Sequence, residues 1–179
     1  MRICCLAAAC VCLSACVPWT VRPIGDSEES QQGPFDAAAY VNSIWQSKVL
    51  PAADAAPDWS GARCGPCLVK GQGRVVAVDT SSRSGLAFLE NGITLQIGPV
   101  VRGTALRDAL PFIQFSQFTN QLEFARVGNA LNDRVSKMLA SIDVPHLQGA
   151  DIAFAGALEL GSPPTAVPVT LTLIRRSDP

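Results

Sequence analysis

Histidine is almost absent from this chain, since His146 is the only one among 179 residues. A Ser-His-Asp site needs a histidine base, and zinc sites draw on several histidines or cysteines at short spacing. His146 follows Pro145 and no carboxylate cluster with ligand spacing accompanies it, so we expect it in a surface loop. The sequence therefore predicts no catalytic residues, no metal site and no cofactor.

The chain also lacks an excess of charge of either sign. Its 14 lysines and arginines stand against 15 aspartates and glutamates, which gives a formal net charge of −1. Domains that bind nucleic acid usually carry a strongly basic surface. We therefore exclude nucleic acid as a partner.

No apolar run reaches the roughly 18 residues that a membrane-spanning helix needs. Arg2 precedes a shorter apolar segment from Ile3 to Leu13, and Leu13-Ser14-Ala15-Cys16 closes it. A positive residue, a short apolar core and a small residue are typical of a secretory signal peptide. The closing stretch resembles the bacterial lipobox, in which the cysteine is lipidated. We predict that residues 1–15 are a lipoprotein signal peptide and that Cys16 carries lipid. The alternative is an ordinary signal peptide with an incidental cysteine.

Few cysteines remain once this leader is removed. Of the seven in the chain, Cys16, Cys64 and Cys67 are left. Cys64 and Cys67 belong to a Cys-Gly-Pro-Cys motif that matches the thioredoxin active site, whose reactivity needs a helix N-terminus. Two glycines within the next six residues disfavour a helix there. We expect a local disulfide or two inert thiols, and a periplasmic thiol-disulfide oxidoreductase is the alternative function.

The mature chain divides into a tether and one domain. Residues 16–34 are rich in proline and polar residues and cannot form an apolar face, which predicts a flexible tether behind the lipid. Residues 35–179 are long enough to bury a core and are predicted to form a single domain.

Hydrophobic periodicity in this domain predicts a helix, three strands, a helical insertion and two strands. Asp36 is the expected N-cap of the first helix, Phe35 and Tyr40 occupy staple positions, and Pro51 is expected to end it. Asn91-Gly92 marks a hairpin. The other expected spans are strands at 68–79, 86–90, 93–97, 152–158 and 167–174, and a helix at 125–142. This order is that of the OB-fold, a small Greek-key β-barrel, and an open α+β sheet is the alternative fold.

Six blocks of the domain form a recognisable pattern. They are 35–51, 69–73, 78–85, 95–108, 118–121 and 129–135. The pattern resembles the DUF2291 family of predicted periplasmic lipoproteins. The resemblance implies an OB-type barrel, genes that lie beside those of sugar ABC transporters, and no catalytic residues. The chain departs from the family pattern at residues 63–67, where the family is not expected to have a cysteine pair.

Two polar clusters are candidates for ligand binding. They are Asp79 with Arg83, and Arg102 with Thr104, Arg107 and Asp108. The loop after the first strand of an OB barrel lies near the usual ligand face. The alternative for both clusters is structural, with Asx-type turns in the first and an ion pair of Arg107 in the second.

These features together predict a non-catalytic binding or scaffolding module of the bacterial envelope that faces the periplasm. The expected partners are the membrane, through the lipid on Cys16, and components of a sugar ABC transporter. Val17 follows Cys16 where an aspartate would retain a lipoprotein in the inner membrane, so Gram-negative sorting would favour the outer membrane.

Overall fold

The computed structural model describes residues 35–61, 64–159 and 161–174. The predicted leader, the predicted tether and Cys16 lie outside these ranges. The helices are Ala37–Ile44 (α1), Leu50–Asp54 (α2), Ala105–Asp108 (α3) and Gln121–Leu139 (α4). The strands are Cys67–Asp79 (β1), Leu86–Leu89 (β2), Thr94–Gln96 (β3), Asp151–Glu159 (β4) and Thr165–Leu173 (β5).

The five strands close into a barrel in the order β1-β2-β3-β5-β4. β3 and β5 pair in parallel and the other neighbours pair antiparallel. With α4 between β3 and β4, this is the OB arrangement, so the predicted fold is confirmed and the open sheet is excluded.

Two apolar cores follow from the alternation of side chains along the strands. The interior of the barrel holds one core, which includes Val75, Leu95, Ile152 and Leu158. The second core lies between the helices and the outer face of the barrel, where β4 presents small residues such as Ala157. All of β3 is buried, because the barrel covers one face and neighbouring segments cover the other.

The first helix begins as predicted. The Asp36 carboxylate accepts hydrogen bonds from the N–H groups of Ala38 and Ala39 at 2.9 and 3.0 Å. The rings of Phe35 and Tyr40 are 6.0 Å apart, as a hydrophobic staple requires.

The predicted end of this helix at Pro51 is wrong. After α1 the chain makes a π-helical turn from Trp45 to Val49 and continues directly into α2. Leu50 donates to the Trp45 carbonyl across this wider turn, so Pro51 falls in the first turn of a new helical segment. A proline in that position lacks an N–H that the helix does not use.

Helix α4 begins at Gln121, four residues before the predicted start. Asn120 accepts from the Glu123 N–H at 2.9 Å, and the Glu123 carboxylate accepts from the Thr119 N–H at 3.0 Å. These two capping bonds mark the start of the helix. The sequence analysis missed this start, because apolar residues on several sides of the first turn hide the helical spacing.

A β-bulge interrupts the pairing of β4 and β5. Ala155 pairs with Thr170 but Gly156 pairs with Pro168, so Val169 is an extra residue. A Cβ atom on Gly156 would overlap the Val167 carbonyl oxygen. Glycine is therefore required at position 156, because the backbones of β4 and β5 approach each other closely there.

Candidate binding site

The first predicted cluster forms a self-contained loop after β1. The Asp79 carboxylate accepts from the Ser81 N–H at 2.8 Å. Hydrogen bonds from the Ser81 hydroxyl and from its N–H lower the pKa of the Asp79 carboxyl. Arg83 is exposed, and its carbonyl accepts from the Val100 N–H at 3.2 Å. Asp79 therefore forms an Asx-turn, as the structural alternative for this cluster predicts.

In the second cluster, Arg107 is held by its neighbours. Its Nη2 lies 2.7 Å from Asp108 Oδ1, and its guanidinium carbon lies 3.9 Å from the centre of the Phe124 ring. Only 13% of its side chain is exposed. Its ion pair with Asp108 is the structural alternative predicted for this residue. The contact with Phe124 in addition packs α3 against α4.

The rest of this cluster is fixed through its backbone. Gln96 accepts from the Arg102 N–H at 3.0 Å and donates to the Arg102 carbonyl at 3.2 Å. Asn132 donates to the Gly103 carbonyl at 2.9 Å. Thr104 lies at the N-cap position of α3, but its side chain makes no capping hydrogen bond.

Gln96 and Asn132 are buried polar side chains to which the sequence analysis gave no role. Only the backbone that each amide contacts in space, at Arg102 and at Gly103, explains its burial. No hydrogen bond or ion pair within the described ranges joins a side chain of the first cluster to one of the second.

The cysteine motif lies at the start of the barrel. Cys64 and Cys67 form a disulfide with their Cα atoms 6.1 Å apart, and Cys67 is the first residue of β1. A strand therefore begins at the second cysteine, and Cys64 does not stand at the helix N-terminus that lowers a thiol pKa in thioredoxins.

His146 is exposed in a short 3₁₀ turn, and its Nδ1 lies 2.6 Å from Asp143 Oδ2. Within the part of the chain that the structure describes, no three His, Cys, Asp or Glu side chains lie together as a metal site would require.

Two adjoining grooves run along the outer face of the barrel beside α2. Their volumes are about 480 and 470 Å³. Both are lined by Leu50, Thr170 and Thr172, so they meet at the start of α2 and at the bulged part of β5. We call them the Lys70 groove and the Arg134 groove after one lining residue of each.

The Lys70 groove is polar and contains two acidic side chains, Asp54 and Asp58. Lys70 Nζ donates to the Asp54 carbonyl at 3.2 Å. Asp58 forms a parallel bridge with Lys70, which brings the segment after α2 against β1. Gln72 and Thr172 are exposed and have no side-chain partner among the described residues, which leaves their polar groups free for a ligand.

The Arg134 groove is basic over an apolar floor. The guanidinium carbon of Arg134 lies 5.1 Å from the centre of the Trp45 ring, and its Nη1 donates to Asn42 Oδ1 at 2.6 Å. Lys137 is exposed, and Met138 with the bulge residue Val169 supplies the floor. The paired grooves are thus acidic at one end and basic at the other.

These grooves were not predicted, because their walls come from the π-helical turn, α2, α4, β1, β4 and β5 and from the segment after α2. Residues as distant as 45 and 172 meet only after the barrel closes. A single sequence carries no local signal for such a surface.

None of the helices that the structure describes is long and apolar enough to cross a membrane.

Comparison with known proteins identifies a family and supports the fold. A family model described as predicted periplasmic lipoprotein (DUF2291) matches residues 6–62 and 65–172. The interruption falls at the start of the Cys-Gly-Pro-Cys motif, where the resemblance was expected to break.

The crystal structure of an OB-fold protein from Thermotoga maritima is similar to 79% of this chain and 100% of its own, with a TM-score of 0.53 and 16% identity. At that identity the likeness shows the fold alone. No curated protein sequence matches the chain.

Proposed function

Because the chain belongs to the DUF2291 family of predicted periplasmic lipoproteins, we propose that it is a non-catalytic binding module that works beside a sugar ABC importer. Family membership accounts for an envelope location and for attachment to a membrane. The lipid on Cys16, the absence of catalysis and the importer partner are the parts that we add.

The paired grooves are the observation that carries this proposal. Their combined surface has acidic, basic and apolar portions, and it includes unpaired polar groups of Gln72 and Thr172. Sites that recognise a partner segment typically combine an apolar floor with a few polar groups that fix orientation. We therefore assign the partner-binding role to the grooves rather than to the Asp79 loop.

Site-specific photo-crosslinking in intact cells tests this assignment. A benzoylphenylalanine in place of Thr172 would sit between the two grooves, and one in place of Ser82 would sit on the exposed loop after β1. We expect the probe at Thr172 to capture a component of a sugar ABC importer and the probe at Ser82 to capture none. Equal capture of that component from both positions, or none from Thr172, would contradict the proposal.

A charge reversal on α4 sharpens the test. Lys137→Glu changes the Arg134 groove, whereas Arg126→Glu changes an exposed residue of the same helix that lines neither groove. The first variant should reduce capture at Thr172 several-fold and the second should leave it unchanged. Loss of capture in both variants would mean that the overall charge of α4, and not the groove, determines binding.

A further inference from the structure

One edge of strand β5 is left without a neighbouring strand over most of its length. On one side β4 pairs with β5 along the whole strand, apart from the bulge. On the other side β3 pairs only with Thr165 and Ala166. The barrel therefore closes at the start of β5, and the end of the strand has an edge that no strand among the described residues covers. We call residues 169–173 on this side the open edge.

The open edge presents backbone groups without hydrogen-bond partners. The Ile174 N–H donates to the Asp151 carbonyl at 2.8 Å, which sets the alternation of the ladder between β4 and β5. In an antiparallel pair every second residue directs its N–H and carbonyl away from the neighbouring strand. On β5 these residues are Leu171 and Leu173, whose backbone groups have no partner within the described ranges. Two donors and two acceptors are therefore available along the open edge.

The matching edge of β1 is covered by another part of the chain. The Lys70 N–H donates to the Pro57 carbonyl at 2.9 Å, and the Trp59 N–H donates to the Lys70 carbonyl at 2.7 Å. The segment around Asp58 thus pairs with β1 in parallel. Folded proteins usually cover or block an edge strand in this way, because a bare edge pairs with other chains. In the part of the chain that the structure describes, β5 has no such cover, which suits it to pair with a second chain.

The Arg134 groove follows the open edge. Residues Val169–Thr172 of β5 form one wall, α4 forms the opposite wall, and no described residue of β1 or β4 lines it. The groove therefore lies on the side of β5 that faces away from β4. Domains such as PDZ bind an extended peptide as an added strand on a sheet edge, where backbone hydrogen bonds give affinity and side-chain pockets give specificity.

The charge of the groove indicates which peptide fits it. Arg134 and Lys137 are the charged residues among its described lining, and neither forms an ion pair within those residues. Trp45 and Asn42 hold the Arg134 guanidinium in place by the ring contact and the hydrogen bond given above. Both of these partners are neutral, so the positive charge is not compensated. A carboxylate is the group that this fixed guanidinium binds best.

We propose that an extended, acidic segment of the partner protein adds as a strand to the open edge of β5 in the Arg134 groove. Its backbone pairs with Leu171 and Leu173, and its carboxylates bind Arg134 and Lys137. This inference rests on the proposed function for the identity of the partner, and it specifies the chemistry by which that partner is recognised.

A peptide selection on the full-length protein in dodecyl maltoside tests the proposal. The probe is a library of random octapeptides, and the selected peptides are then synthesised and measured by fluorescence anisotropy. We expect Asp and Glu to be enriched among the selected peptides. Changing their carboxylates to amides should weaken binding about tenfold. Methylating every second backbone nitrogen should also weaken it about tenfold in one of the two alternating patterns, because only one face of an added strand donates to β5.

Two substitutions at Leu173 isolate the backbone of the open edge. Leu173→Pro removes the N–H that faces away from β4, in the orientation that an edge strand tolerates. Leu173→Thr is the matched control, because it keeps that N–H and replaces the same exposed side chain. The proline variant should bind the selected peptides about tenfold more weakly than the threonine variant, and urea unfolding should show that both are folded. Equal binding by the two folded variants would overturn the pairing with β5.

Other occupants of the open edge would give different results. Acidic peptides selected by the variant Asp26→Asn, Glu28→Gln and Glu29→Gln but not by the wild type would mean that the acidic tether of this chain fills the groove. A wild-type dimer that becomes a monomer in Leu173→Pro would mean that a second copy pairs with the edge. Either result, or a selection that enriches no acidic peptide, overturns the proposal.

Crosslinking from Thr172 separates this inference from the proposed function. Capture of an importer component that is equal in Leu173→Pro and Leu173→Thr would overturn the pairing with β5 and leave the importer partner standing. Acidic peptides that bind as expected, while the probe at Thr172 captures no importer component, would support the open edge as a peptide site and contradict the importer as its partner.

Discussion

At the scale of single residues, the amide of Gln96 connects the barrel to the segment that leads into α3. The Gln96 amide accepts from the Arg102 N–H and donates to the Arg102 carbonyl. Removing the amide therefore leaves a backbone donor and a backbone acceptor without a protein partner. Leaving such groups unsatisfied costs about 1–3 kcal/mol. Gln96 therefore contributes to the stability of the fold and not to ligand binding.

Gln96→Leu should lower the free energy of unfolding by about 2 kcal/mol, measured by urea denaturation. Gln72→Leu is the matched control, since Gln72 is exposed and has no side-chain partner among the described residues. It should change the free energy of unfolding by less than about 0.5 kcal/mol. Equal effects of the two substitutions would contradict the role of the Gln96 amide.

The Asp79 turn predicts a specific dependence of stability on pH. The folded state lowers the pKa of this carboxyl below 3.8, because Ser81 donates to the charged form. The charge therefore adds stability above pH 3.8, and this contribution is lost as the pH falls through the folded pKa. Urea midpoints of the wild type and Asp79→Asn should differ at pH 7, and this difference should shrink as the pH falls below 3.8. A difference in urea midpoint that does not change with pH would contradict the stabilising role of the Asp79 charge.

The disulfide of Cys64 and Cys67 closes a loop of only four residues. In the chain-entropy model such a loop contributes about 2 kcal/mol at most. The double variant Cys64→Ser and Cys67→Ser should stay folded with a loss of that size or less in thermal or urea unfolding. The wild type should not catalyse insulin reduction, because Cys64 precedes a strand. Robust reductase activity that disappears in Cys64→Ser would overturn this interpretation.

At the scale of elements, the bulge between β4 and β5 shapes the face that bears the grooves. It inserts Val169 and bends β5 where Thr170 and Thr172 line both grooves. Gly156 permits the close approach of the two strands at this point. The grooves therefore depend on a glycine that lies outside their walls.

Gly156→Ala should destabilise the protein by about 3 kcal/mol, because its Cβ would overlap the Val167 carbonyl. Gly73→Ala is the control on the same barrel, since its Cβ would meet atoms no closer than 3.5 Å. That variant should change stability by less than about 1 kcal/mol in thermal unfolding. If Gly156→Ala leaves the stability unchanged, the bulge can move to accept the Cβ atom, and the requirement for glycine at this position is contradicted.

The boundaries of elements show what local sequence can and cannot predict. The N-cap at Asp36 and the order of the five strands were predictable, because caps, turns and alternation act within a few residues. The end of the first helix was not predictable, because the π-helical turn at Trp45 removes the conflict with Pro51. The early start of α4 was missed because Asn120 and Glu123 cap it within an aromatic segment.

At the scale of the whole molecule, the fold was predictable and the candidate site was not. The barrel was predicted from the order of strands and helices along the chain. That order stays the same even when each predicted boundary is wrong by a few residues. The grooves combine side chains far apart in sequence, such as Trp45 with Thr172, and the same holds for the ring contact of Phe35 with Phe118. Of the predicted binding residues, Arg107 and Asp108 pair with each other.

The central claim is that this barrel is a lipoprotein held at the membrane through Cys16. The most direct test is the intact mass of the full-length protein expressed in a bacterium and purified from its membranes. We expect a chain that begins at Cys16 and carries a diacylglyceryl group with or without an additional N-acyl chain. Cys16→Ser should yield no lipidated product. A wild-type chain recovered without lipid, or one that begins at another residue, would contradict the account.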